Sequence, residues 1–213
     1  MKNLKIYTLL LIVLNLVACT DLEEDPIGLL APEGFFKSTS DVEAALFGAY
    51  GLMADQRYWG RKQSLTIMLM SDMVDIGNEA TATRRIQIND FESDATNGMV
   101  AEFWPQSYKI ISAANNAIYG AEIIDADEDD KNALIAEAMF ARSLVYFNLV
   151  RQFGDIPYLA ETVSDPEAVA NISKTSAAEV YENIIADLEF GKEYLPLTIK
   201  RSDGMQCRIR TGC

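Results

Sequence analysis

The sequence predicts an all-α fold, and three observations carry that reading. Apolar residues recur at three- and four-residue spacing over long stretches. Two Ser-x-x-Glu boxes stand at the heads of helix-forming segments. No segment alternates convincingly between apolar and polar residues, and the short stretch Arg85 to Phe91 is only a weak strand candidate.

The elements follow in order. Ser40-Asp41-Val42-Glu43 predicts a helix over 41–56, with Ser40 as cap and Glu43 reaching back. A second helix is expected over 62–74. Residues 75–100 hold Gly77, Asn78, Thr81, Thr83, Asn89, Asn97 and Gly98 among charges, with little periodicity. They read as one long loop, and long irregular segments inside a domain are commonly functional. Trp104, Tyr108, Ile111, Ala114, Ile118 and Ala121 share one face of a helix over 102–124. Leu134, Ala138, Ala141, Val145 and Leu149 do the same over 131–153. Phe153-Gly154-Asp155-Ile156-Pro157 ends that helix, because Gly can take the left-handed cap and Pro cannot continue the helix. Ser176-Ala177-Ala178-Glu179 opens a last helix over 177–195, with Val180, Ile184, Leu188, Gly191 and Leu195 on one face.

Composition excludes several functions. The chain has 213 residues, 18 bases, 32 acids and a net charge of −14, so it repels nucleic acid and anionic lipid head groups. Histidine is absent, which removes Ser-His-Asp and Cys-His catalysis and His-ligated zinc. Three cysteines, Cys19, Cys207 and Cys213, cannot supply four thiolates to a metal. No cofactor or metal motif is present. The run Asp125-Ala126-Asp127-Glu128-Asp129-Asp130 fails as a calcium loop, since Asp130 stands where Gly is needed and Ala136 where Glu is needed. It reads instead as a helix start favoured by the dipole. With 32 acids a carboxylate pair turns up at any spacing, so a glycosidase reading has no distinct signal.

The N-terminus reads as an address. Lys2 and Lys5 precede an apolar run of thirteen residues from Ile6 to Ala18, shorter than the ~20 that span a bilayer. Leu16-Val17-Ala18-Cys19 resembles a bacterial lipoprotein signal, which implies cleavage before Cys19 and acylation of its thiol and amine. Cleavage would remove two lysines and no acid, taking the charge from −14 to −16. Thr20 to Pro26 carries four carboxylates and no base. It is a solvated tether in composition, and it resembles the acidic signals that send some lipoproteins to the outer face of the outer membrane.

Ala136-x-x-x-Phe140 matches the small-residue element of a tetratricopeptide helix pair. The wider pattern is more specific. Phe35-Phe36-Lys37-Ser38, then Asp41, Ala44-Ala45 and Gly48-Ala49-Tyr50, resembles the N-terminal motif of the SusD/RagB family. Trp104-x3-Tyr108-x2-Ile111-x3-Asn115-x2-Ile118 is similar to its next helix. Glu137-Ala138-x-Phe140-x-Arg142, Tyr146-Phe147-x-Leu149-Val150-Arg151 and Phe153-Gly154-Asp155-Ile156-Pro157 resemble its strongest signature, and Tyr181-x2-Ile184-Ile185-x-Asp187-Leu188 the helix after it. The resemblance implies a tetratricopeptide-like helical-repeat scaffold with a loop-rich ligand region. It also implies a non-catalytic, surface-exposed lipoprotein that binds glycans, or sometimes peptides, and works with a SusC-like TonB-dependent transporter barrel. Glu137 and Arg142 are expected to be structural, pairing or capping within the helix bundle and not contacting ligand, and Trp104 to pack in the core.

The expected organisation is a signal over 1–18, an acidic tether over 19–34, an incomplete helical domain over 35–200 and an aberrant tail over 201–213. The tail holds three arginines, one acid and two of the three cysteines. The family resemblance and the lack of a following helix to cover Val180, Ile184, Leu188 and Leu195 predict a truncated chain, a non-functional fragment that by itself binds glycans weakly or not at all. Two other readings stand beside glycan delivery: a helical-repeat lipoprotein that binds proteins, and a lipid-anchored glycosidase. Sugar recognition needs a flat apolar face and planar polar groups. Tyr58 and Trp59 in a Gly- and Arg-bearing turn, with Asp75, Asn78 and Arg84 in the long loop, are the candidate ligand residues. Asp72 and Arg85 lie beside them.

Overall fold

A computed structural model describes residues 32–77, 81–163, 167, 171–196, 199–200 and 206–207. Expectations for the signal, Cys19, Asn78 and most of the tail lie outside the described residues.

Seven helices follow in order among the described residues: α1 (Pro32–Phe35), α2 (Thr39–Met53), α3 (Lys62–Leu69), α4 (Thr83–Asn89), α5 (Val100–Ile123), α6 (Glu128–Phe153) and α7 (Ala177–Tyr194). Two two-residue strands, β1 (Ile199–Lys200) and β2 (Gln206–Cys207), pair antiparallel with Ile199 opposite Cys207. The first helix of the bundle starts two residues before the expected bound. Its cap is Ser38, not Ser40: the Asp41 carboxylate accepts from the Ser38 amide at 2.9 Å, the Ser38 hydroxyl at 2.8 Å and the Lys37 amide at 3.0 Å. Asp41 therefore does the work assigned to Glu43. At α6, the Asp127 side chain accepts from the Asp129 amide at 3.0 Å, so the acidic run is a cap and first turn. Ser176 caps α7 by accepting from the Glu179 amide at 3.3 Å.

The first helix of the bundle also ends at Met53, three residues before the expected bound, and two segments depart further. Helix α3 stops at Leu69, where the Ser71 hydroxyl donates to the Met68 carbonyl at 2.7 Å and turns the chain. The 75–100 segment is not one loop, because α4 lies inside it. Ile88 buries against Leu69 and Met99 and anchors that short helix, which also replaces the weak strand candidate. Phe91 ends it with a φ of 58°.

The four long helices pack in sequence: α2 on α5, α5 on α6, and α6 on α7, with α2 also touching α6. One core joins Ile110 and Ile111 of α5 to Val145, Tyr146 and Leu149 of α6. A second joins Phe36, Val42 and Leu46 to Ala117, Ile118 and Ala121, with Leu134 and Ala138 behind them. Gly120 lets Phe36 lie directly on α5; a Cβ there would stand 2.4 Å from the Phe36 ring. Gly154 closes α6 at φ 70° and ψ −121°, a positive-φ cap but not the left-handed helical one expected.

The expectation that nothing covers α7 is overturned in part. Val180 is fully buried and Ile184 nearly so, sealed by α6 and Ile156. Leu188 remains 41% exposed. With Tyr181 and Ile185, also exposed, it forms an open stripe at four- and three-residue spacing.

Glu137 and Arg142 are structural, as the resemblance implies. Glu137 accepts from the Tyr50 hydroxyl at 2.6 Å and ties α6 to α2. Arg142 is buried. Its Nε and Nη2 donate to Asp187 of α7 at 2.9 and 2.8 Å, and its Nη1 donates to Asn115 of α5 at 2.8 Å and the Ala160 carbonyl at 2.7 Å. Asn115 in turn donates to the Leu159 and Glu161 carbonyls, each at 3.0 Å. One guanidinium thus locks three helices and pins the strap after Gly154. Trp104 packs in the core periphery, edge-on to Phe153 at 4.9 Å.

Candidate functional site

The expected ligand residues gather around α3 and α4 but not in one place. Both short helices begin at one hollow and end at another. Lys62 to Leu69 is seven helical steps, so the two hollows are about 10 Å apart along α3.

The first hollow, about 450 Å³, is lined by residues of the 55–62 turn together with Arg84 of α4 and Glu102 of α5. The turn is rigid for identifiable reasons. The Asp55 carbonyl accepts from the Tyr58 amide at 2.9 Å and the Gly60 amide at 3.1 Å. A Cβ on Gly60 would sit 2.4 Å from the Ala54 carbonyl oxygen, so only Gly fits. The Asp55 carboxylate takes the Arg57 Nε at 2.8 Å and Nη2 at 2.9 Å. Hydrogen bonds from Arg57 hold the Asp55 carboxyl well below the usual carboxylate range. Lys62 is buried to its tip. Its Nζ pairs with Glu102 and donates to the Gly98 carbonyl at 3.0 Å, tying α3 to the start of α5. Asn97 staples the same corner, donating to the Arg84 carbonyl and to Gln87, both at 2.9 Å.

The second hollow, about 360 Å³, lies at the far ends of α3 and α4. Leu69 and Val74 supply apolar lining, and Asp72, Asp75, Asn89 and Phe91 supply polar groups and one aromatic ring. Asp75 accepts from the Asn89 side chain at 3.0 Å and the Ile76 amide at 2.7 Å, which fixes its carboxylate. Phe91 is 68% exposed, on a backbone with a φ of 58°. A bulky residue rarely adopts that conformation. The local backbone therefore presents an aromatic ring to solvent beside an ordered carboxylate and amide.

Of the five expected residues, Arg84 lines the first hollow and Asp75 the second, while Asn78 lies outside the described residues. Tyr58 is corrected. Its ring is fully buried, stacked on Phe103 at 5.4 Å, and its hydroxyl accepts from Asn148 at 3.0 Å. Burial pushes that phenol well above the ordinary tyrosine range, so it is a core residue. Trp59 keeps 36% of its surface exposed and meets Tyr58 edge-on at 5.6 Å. Asp72 joins Asp75 at the second hollow, whereas Arg85 turns to Thr81, 3.0 Å away. Phe91 and Asn89 were not among the expected residues. A lone aromatic in a polar, Gly- and Asn-rich stretch was the signal for Phe91.

Among the described residues no cluster of three or more metal-ligating side chains occurs. The arrangement can recognise a polar ligand through a ring face, carboxylates, an amide and guanidinium groups.

A family of SusD-like proteins, described as "Starch-binding associating with outer membrane", matches residues 23–208. SusD-like protein P2 of Formosa agariphila is 51% identical over 198 residues, covering 93% of this chain and 39% of that protein. SusD-like protein P25 of the same organism is 26% identical over 213 residues, again 39% of its length. The chain thus spans about two fifths of the relatives it matches. Among solved structures, a laminarin binding SusD-like protein aligns with TM-score 0.68 and 23% identity over 81% of this chain and 38% of its own. A SusD superfamily protein from Bacteroides vulgatus ATCC 8482 aligns with TM-score 0.69 and 22% identity over 78% of this chain and 36% of its own. These likenesses carry the helical fold. The match over most of the sequence is decisive for kinship: the chain belongs to the SusD-like family, described as starch-binding and associating with the outer membrane.

Proposed function

We propose that this chain is the N-terminal helical part of a non-catalytic, lipid-anchored glycan-binding protein, which delivers oligosaccharide to a SusC-like TonB-dependent transporter barrel. Kinship with a starch-binding, outer-membrane family supports the substrate class and the location. The single observation that carries the reading at the level of residues is the exposed Phe91 ring beside ordered Asp75 and Asn89. Such a ring covers the C–H face of a sugar while the carboxylate and amide take its hydroxyls. Cys19, at the end of the lipoprotein-like signal, is the proposed anchor.

The test has two arms. The protein is expressed with its own signal, and the outer membrane is solubilised and fractionated by affinity capture. Recovery of a transporter barrel with the protein supports the delivery role, and recovery without any barrel contradicts it. Cys19→Ala should move the protein from membrane to soluble fractions; unchanged membrane partitioning would contradict the anchor.

A further inference from the structure

Bases are scarce in this chain, yet they converge. Arg57, Arg61, Lys62 and Arg84 line the first hollow against only two acids, Asp55 and Glu102, in a protein of net charge −14. Pairing sharpens the contrast. Asp55 is taken by Arg57, and Glu102 by Lys62. Arg61 and Arg84 are exposed and have no hydrogen-bond or salt-bridge partner for their guanidinium groups among the described residues. Two unneutralised guanidinium groups therefore border one cavity in a chain with acids to spare.

From this we infer that the first hollow takes an oxyanion carried on a saccharide, either a uronate carboxylate or a sulfate ester, with Arg61 and Arg84 as its ligands. Guanidinium presents a planar fork that matches the paired oxygens of carboxylate and sulfate. The remaining lining is polar throughout, which suits a hydroxylated molecule and not an apolar one. At about 450 Å³ the hollow is far roomier than the ~30 Å³ share of one water. A bare ion would fill little of it. An anion tethered to a sugar body gains further contacts, and the Phe91 hollow lies about 10 Å away along α3. One oligosaccharide then engages both ends, its ring at Phe91 and its charge at the arginines. This inference rests on the glycan-binding reading and narrows it to acidic glycans.

The purified chain is titrated calorimetrically with three probes: tetragalacturonate, a sulfated galactan tetrasaccharide and neutral laminaritetraose. The proposal expects at least one charged probe to bind at least tenfold tighter than the neutral one. The uronate and sulfate arms tell which anion is preferred. Arg61→Gln with Arg84→Gln should abolish the preference, while Arg61→Lys with Arg84→Lys keeps much of it; melting curves check that both variants fold. Equal binding of all three probes overturns the proposal and leaves the glycan reading intact. So does a charge preference that survives the double glutamine variant. Failure of all three probes to bind overturns both.

Discussion

Removing Arg142 is the sharpest perturbation of this fold. In Arg142→Met the Asp187 carboxylate loses two donors at 2.9 and 2.8 Å, and keeps only the Ser143 hydroxyl at 3.2 Å. Asn115 Oδ1 and the Ala160 carbonyl each lose a donor as well. Both partners of the ion pair are at most a tenth exposed, so solvent does little to compensate. Breaking a buried pair from one side costs ~3–5 kcal/mol, because the remaining charge is stranded. That is a large share of the ~5–15 kcal/mol that holds a domain together. Urea unfolding followed by far-UV circular dichroism measures the loss. The double variant Arg142→Met/Asp187→Leu should cost less than Arg142→Met alone, since no charge is left behind. A single-variant cost below the ~1 kcal/mol of an exposed pair, or simple additivity in the cycle, would refute the reasoning.

Three further outcomes follow from particular contacts. Gly120→Ala should lower stability by ~1–3 kcal/mol, because its Cβ must displace the buried Phe36 ring; an unchanged melting temperature counts against that packing. Phe91→Asn should raise stability by ~1 kcal/mol, since Asn tolerates positive φ better, yet weaken laminaritetraose binding about tenfold, or ~1.4 kcal/mol. Stability and affinity moving in the same direction would contradict the platform role. Gln63→Met should stabilise by ~1 kcal/mol, because both amide atoms of Gln63 are buried without partners among the described residues; a clear loss in thermal melts would show that the amide is needed.

The long helices were legible because burial imposes a period. Ile111, Ala114, Ile118 and Ala121 of α5 face the bundle, and their spacing says so before any coordinate. Short α4 was not legible. Its seven residues complete barely two turns, and only Ile88 is fully committed to a core. Tyr58 and Trp59 are neighbours with opposite fates, decided by Phe103 and by Asn148, ninety positions away. Local composition holds no trace of such partners. The same limit applies to Arg142: its signature was visible, but Asp187, forty-five positions on, was not marked as its counter-ion. The cover over Val180 and Ile184 is not visible in the sequence that follows α7, and Leu188 stays exposed as expected. Helix α6 and Ile156 supply that cover from the preceding turns.

A saccharide is proposed to bind across the ends of α3 and α4. Amide chemical-shift mapping of the ¹⁵N-labelled chain, titrated with whichever of the three tetrasaccharides binds most tightly, reads out that placement residue by residue. The largest shifts should cluster in residues 55–62, 71–75 and 84–91. Shifts confined instead to the exposed stripe of Tyr181, Ile185 and Leu188, or scattered with no cluster, would contradict it.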